Sequence, residues 1–180
     1  MKIPCGEERR RASGEGYHEQ GRTNARIERL FTYWYWTRFF IGEWTFIFPV
    51  ASSPRRTLNA TMRALLIYKN NQPIADLFDV TGLALDHRIL ECQEYEPAGR
   101  TDIPRRALFT ARWPGLRLRA DMDLFHLLEA FRFTPFGETP PLLPAWLQHV
   151  MNVRVEMRVG GRDYVLEGEG VFETMLTGAV

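Results

Sequence analysis

The chain has 180 residues, 45% of them hydrophobic and 13% aromatic, which suits one domain with a substantial core and leaves little room for two. Lys and Arg number 23 against 22 Asp and Glu, a formal charge of +1, so bulk charge argues for neither a nucleic-acid nor a membrane-surface partner. Two cysteines, Cys5 and Cys92, make no disulfide framework, and no CxxC or Cys/His cluster suggests a metal site.

The opening, MKIPCGEERRRASGEGYHEQ, is polar and lacks the apolar run of a signal peptide. Arg9, Arg10 and Arg11 precede a Ser-Gly segment, and residues 1–13 are expected to form a flexible solvated tail before a single domain over 14–180. Free thiols in a reducing compartment point to the cytoplasm. Leu30 to Val50 is long enough to span a bilayer, but Arg38 and Glu43 near its middle would be costly in lipid.

Taken as a strand, LFTYWYWTRFFIGEWTFIF carries rings on both sides. Phe31, Tyr33, Tyr35 and Phe39 point one way; Trp34, Trp36 and Phe40 point the other. Two readings stay open: one face lines a cavity while the other is covered from outside, or both are ordinary core. Arg38 and Glu43 are expected to pair with each other across a kink at Gly42, or with other buried charges. An inward-facing Arg38 would orient a ligand carboxylate or carbonyl.

Leu58–Tyr68 and Ile74–Val80 flank the turn cluster Asn70-Asn71-Gln72-Pro73 and predict a hairpin. His87–Tyr95 is a candidate strand, and Ala107–Trp113 and Leu116–Leu124 flank Pro114-Gly115. In the last of these Leu116, Leu118, Ala120, Met122 and Leu124 alternate with Arg117, Arg119, Asp121 and Asp123. Short helices are expected over Phe125–Phe133 and Trp146–His149, with a proline-rich loop over Pro135–Pro144 between them. In VRVEMRVGGRDYVLEG a two-residue Gly160-Gly161 turn sets Val159 opposite Arg162, Met157 opposite Tyr164 and Val155 opposite Leu166. The same register pairs Arg158 with Asp163 and Arg154 with Glu167 on a wet outer face. The pattern predicts an all-β antiparallel barrel of about eight to ten strands with one or two short helices.

The segment GEGYHEQGRTNARIERLFTYWYWTRFFIGEWTFIF resembles the start of the C-terminal lipocalin-like (calycin) domain of the hydroxyneurosporene synthase (carotenoid 1,2-hydratase) and AttH-like family. Gly16, Tyr17 and His18 match that family's Gly-Tyr-His-Asp-His-Asn-Trp-Gly motif. Glu19 takes the place of the Asp, and Gln20 that of the second His. Trp34, Trp36, Gly42, Glu43, Trp44 and Thr45 follow its Trp-rich strand, and Gly168–Glu173 its closing strand. The resemblance implies an apolar ligand of terpenoid, carotenoid or polyketide type, with acid-assisted hydration, isomerisation or cyclisation as the chemistry. It implies no cofactor. Relatives carry two such domains, so a second lipocalin-like domain or a homodimer partner is expected.

Proton transfer to an alkene needs a neutral acid in an apolar setting, and Glu19 beside His18 is the candidate. A developing carbocation is attracted to ring faces, which makes Tyr17, Tyr33, Trp34, Tyr35, Trp36 and Trp44 the candidate pocket wall together with Arg38. A binding or partner-interaction domain without chemistry is the alternative. His87, His126 and His149 have no metal-site spacing and are expected as neutral histidines on strand faces.

Overall fold

The structure, a computed structural model, describes residues 30–54, 60–132 and 145–177. Nine strands run through them: β1 (Tyr33–Ile41), β2 (Trp44–Ser52), β3 (Thr61–Lys69), β4 (Gln72–Asp79), β5 (Leu85–Tyr95), β6 (Arg100–Trp113), β7 (Leu116–Arg132), β8 (Ala145–Val159) and β9 (Arg162–Leu176). They form one antiparallel sheet in the order β4-β3-β2-β1-β9-β8-β7-β6-β5, curled into a half-barrel. Between β1 and β9 the described chain holds a single helical element, a 3-10 turn over Glu96–Ala98. No helix among the described residues is long and apolar enough to cross a membrane.

The expected Gly160-Gly161 hairpin forms in the register read from the sequence, pairing Val155 with Leu166 and Arg154 with Glu167. Both glycines have positive φ, 57° and 79°, as a tight hairpin whose twist matches the strands requires. The β7 alternation also holds, with Leu116, Leu118, Ala120, Met122 and Leu124 buried.

Three expectations are corrected. The aromatic segment is not one kinked strand but a hairpin, β1 and β2, turning at Gly42-Glu43. Arg38 and Glu43 therefore do not pair: Arg38 meets Glu173 at 3.9 Å, and Glu43 meets Lys69 at 2.9 Å. The helix expected from Phe125 is the second half of β7, which stays paired with β8 as far as Arg132. Two bulges, after Leu124 and after Leu127, each insert a residue. Leu124, Leu127 and Ala130 then pack inward at a spacing of three, which imitates a helical face. The helical turn expected at Trp146–His149 is the start of β8, where Ala145, Leu147, His149 and Met151 are buried in strict alternation. The loop over Pro135–Pro144 lies outside the described residues.

The ladder is linear, and β4 and β5, its two ends, are not paired with each other. They are held together by Asp79, the last residue of β4. Its carboxylate accepts hydrogen bonds from the Thr81 amide (2.7 Å) and hydroxyl (2.6 Å) and from the amides of Gly82 (3.1 Å), Ala84 (2.9 Å) and Leu85 (2.8 Å). These donors pull its pKa well below the ordinary aspartate range, against the opposing effect of burial.

Opposite walls meet in the middle. Phe48 of β2 stacks on Phe109 of β6 at 4.3 Å between ring centroids, and Phe39 packs on Phe46 and Phe48 at 4.8 and 5.4 Å. All four rings, with Phe172, are at most 1% exposed. A hollow interior is thus corrected at mid-height, where rings brought inward by β1, β2, β6 and β9 fill the space themselves.

Candidate functional site

Above the phenylalanine layer the inner wall becomes polar. Tyr33 and Tyr35 project inward from β1 and stack at 5.0 Å. Tyr35 touches the ring of His87 at 5.0 Å and that of Phe172 at 5.7 Å. The register places Tyr35 opposite Thr174, Thr174 opposite Leu147, and Phe172 opposite His149. One level of the curled sheet therefore carries two histidines, two tyrosines and a threonine on four strands.

Several polar atoms here are sealed from solvent and have no hydrogen-bond partner: His87 Nε2, His149 Nδ1 and Thr174 Oγ1. His149 is 2% exposed and Thr174 is fully buried. Burial lowers the pKa of His149 to about 4, assisted by the nearby His126. Burial likewise lowers His87 to about 4, with the positive charge of Arg63 adding to the effect. Both imidazoles are neutral at physiological pH, as the sequence led us to expect. Burial and the adjacent Tyr33 raise the Tyr35 phenol well above its usual range, so it stays a hydrogen-bonding hydroxyl.

His149 opens onto a cavity of about 260 Å³ walled by Tyr95, Ile103, Phe125, Leu127 and Leu147, with Gln93 and Glu94 at its rim. An apolar wall with one buried, unpartnered nitrogen suits a small molecule that offers a single polar group. Among the described residues no group of three His, Cys, Asp or Glu side chains could hold a metal ion.

The residues expected from the sequence are dispersed. Tyr33 and Tyr35 lie on the inner wall at this end. Trp34 and Trp36 lie on the outer face of β1, 6.2 Å apart, and Arg38 on the same face pairs with Glu173. Trp44 is buried at the β1–β2 turn, against Tyr164 at 5.0 Å and under the Lys69 ammonium at 5.0 Å. Tyr17, His18 and Glu19 lie outside the described residues. The sequence reading missed His149 and Thr174 as site residues. A polar residue inside the inward stripe Ala145, Leu147, Met151 is the signal, and it shows only once that segment is read as a strand.

No protein-family model matches the chain, and no curated protein matches it. Among solved structures, CghA, crystallised with Sch210972, superposes with a TM-score of 0.59 at 14% identity, over 83% of this chain and 42% of that one. Kievitone hydratase from Nectria haematococca superposes with a TM-score of 0.56 at 18% identity, over 89% of this chain and 43% of that one. A putative AttH from Nitrosomonas europaea aligns more loosely, with a TM-score of 0.43 at 9% identity, over 87% of this chain and 53% of that one. The chain spans about two fifths of the first two, with 42% and 43% of their lengths covered. At these identities the likeness shows the fold alone: an all-antiparallel, lipocalin-like β domain.

Proposed function

We propose that this domain binds a compact, mostly apolar molecule of terpenoid or polyketide type at the polar end of its curled sheet. The observation that carries the reading is the buried, unpartnered Nδ1 of His149, a residue that lines a cavity walled by Tyr95, Ile103, Phe125, Leu127 and Leu147. A buried polar atom without a partner costs about 1–3 kcal/mol, a cost that a ligand hydroxyl or carbonyl would remove. A neutral imidazole supplies one donor and one acceptor, and the Tyr95 ring supplies a flat wall. At about 260 Å³ the cavity sits near the lower end of ligand-pocket sizes, which favours one or two rings over an extended carotenoid.

Acid-assisted hydration, isomerisation or cyclisation is the chemistry suggested by the family resemblance and by the name of kievitone hydratase, with Glu19 as proton donor and His18 beside it. Binding without chemistry is the second reading. It is favoured by the depressed pKa values of His87 and His149, neither of which holds a proton to give at neutral pH. The outer aromatic residues Trp34 and Trp36 fit a partner-domain or second-copy contact better than this cavity.

The test is calorimetric titration of the full chain with 1-naphthol and geraniol, beside His149→Leu and Glu19→Gln. The His149 change is expected to weaken binding about tenfold, the value of one buried hydrogen bond. Equal affinity in wild type and His149→Leu refutes the site. Analysis of recovered geraniol separates the two readings: a hydrated or cyclised product that vanishes in Glu19→Gln supports chemistry, and unchanged ligand supports binding alone.

A further inference from the structure

The outer face of β6–β9 carries charge in rows set by the register. In three of these rows opposite signs face each other: Arg106 with Asp123, Asp121 with Arg154 and Glu167, and Arg119 with Glu156. One row breaks the pattern. Arg112 faces Arg117, and Arg117 faces Arg158, so three guanidinium groups line up on adjacent strands. Arg158 reaches Asp163 at 3.8 Å, whereas Arg112 and Arg117 make no ion pair with any described residue. Like charges directly opposite on a sheet are destabilising, so the fold gains nothing from this row.

The row lines an open cleft of about 860 Å³. Val165, on the same outer face, also lines it and is 60% exposed, and the carboxylates of Glu156 and Asp163 lie along it beside the arginines. Directly opposed Cβ atoms in a sheet lie about 4.5–5.5 Å apart, close enough for two neighbouring guanidinium groups to grip one multivalent anion. The planar fork of arginine matches phosphate oxygens in pairs. The overall charge of +1 conceals this local concentration.

We propose that this cleft is an anion site for a phosphorylated small molecule, its phosphate groups bridging Arg112 and Arg117. The site lies on the outer face of the sheet and is independent of the cavity at His149.

Inorganic pyrophosphate is the probe, titrated calorimetrically into the full chain at about 50 mM salt, where screening is modest. Arg112→Gln and Arg117→Gln are each expected to weaken binding by about tenfold or more, and Arg106→Gln to leave it unchanged. Arg117→Glu separates folding from binding. A carboxylate between two guanidinium groups should raise the urea midpoint while abolishing pyrophosphate binding. Absence of binding to wild type, or binding that survives the Arg112→Gln/Arg117→Gln double change, overturns the proposal. So does a short single-stranded oligonucleotide that binds roughly a hundredfold tighter than pyrophosphate, since the row would then serve a polymer.

Discussion

Replacing Asp79 tests what holds the two ends of the sheet together. Asp79→Ala removes an acceptor used by four amides and one hydroxyl. Thr81 sits in an exposed bend and can turn to water, but the Leu85 amide belongs to a fully buried residue, and Gly82 and Ala84 are half-buried. Even two orphaned donors at about 1–3 kcal/mol each give an expected loss of roughly 2–6 kcal/mol. Asp79→Asn should cost nearly as much, because its amide must point NH₂ at donors and the charge-assisted bonds become neutral ones. Urea unfolding would read this as a lower midpoint at unchanged slope.

The pH dependence sharpens the test. The carboxylate is held below its ordinary pKa, so its contribution is full above about pH 4 and disappears as pH falls through the lower folded value. His87 and His149 act in a separate window. Their folded pKa values of about 4 lie below the unfolded value of about 6.5, so acid between these limits protonates the unfolded chain first and destabilises the fold. Wild type and Asp79→Asn share that histidine loss, so their difference should stay constant from pH 7 to about 4 and narrow only below it. An Asp79→Asn protein as stable as wild type at pH 7, or a gap unchanged at pH 3, refutes the role assigned to this carboxylate.

A Cβ at Gly170 would fall 2.5 Å from Phe39 Cβ and 2.7 Å from the Arg38 carbonyl, neither of which can rotate away. Gly170→Ala should cost about 3 kcal/mol, or roughly 6–12 °C in Tm. At Gly168 the nearest atom is the movable Ile41 Cγ1 at 2.9 Å, so Gly168→Ala should cost no more than about 1 kcal/mol by the same measurement, and equal losses would contradict the steric account. Phe48→Ala removes the ring stacked on Phe109 and should lower stability by about 3–5 kcal/mol in urea, with a loss under about 1 kcal/mol showing that the walls do not meet there.

The parts of this fold legible in the sequence were those where one residue per strand position is kept. The Gly160-Gly161 hairpin obeys a period of two on both sides of its turn, and its cross-strand charges confirm the register. The first half of β7 is equally plain. Its second half was not, because bulges reset the inward positions to Leu124, Leu127 and Ala130, and a pattern of three is ambiguous between a bulged strand and a helix. The same helical reading hid His149, which has meaning only as an inward residue between Leu147 and Met151. The rings of β1 were correctly sorted into two faces. The packing of Phe48 against Phe109 depends on how tightly the sheet curls, which composition and periodicity do not specify. The arginine row was invisible for a related reason: Arg112, Arg117 and Arg158 are scattered in the chain and meet only through register.

The strand order also says something about how the chain assembles. Every pairing but one joins strands consecutive in sequence, forming a β1–β4 meander and a β5–β9 meander that can each grow by local zippering. The exception is β1 with β9, where Tyr33 faces Leu176 from the far end of the described chain. Nearly all the entropy of long-range closure therefore falls on a single seam of seven residue pairs, from Tyr33–Leu176 to Phe39–Gly170. Damage at that seam would leave the two meanders joined through the β4–β5 connection and through core contacts such as Phe48 on Phe109.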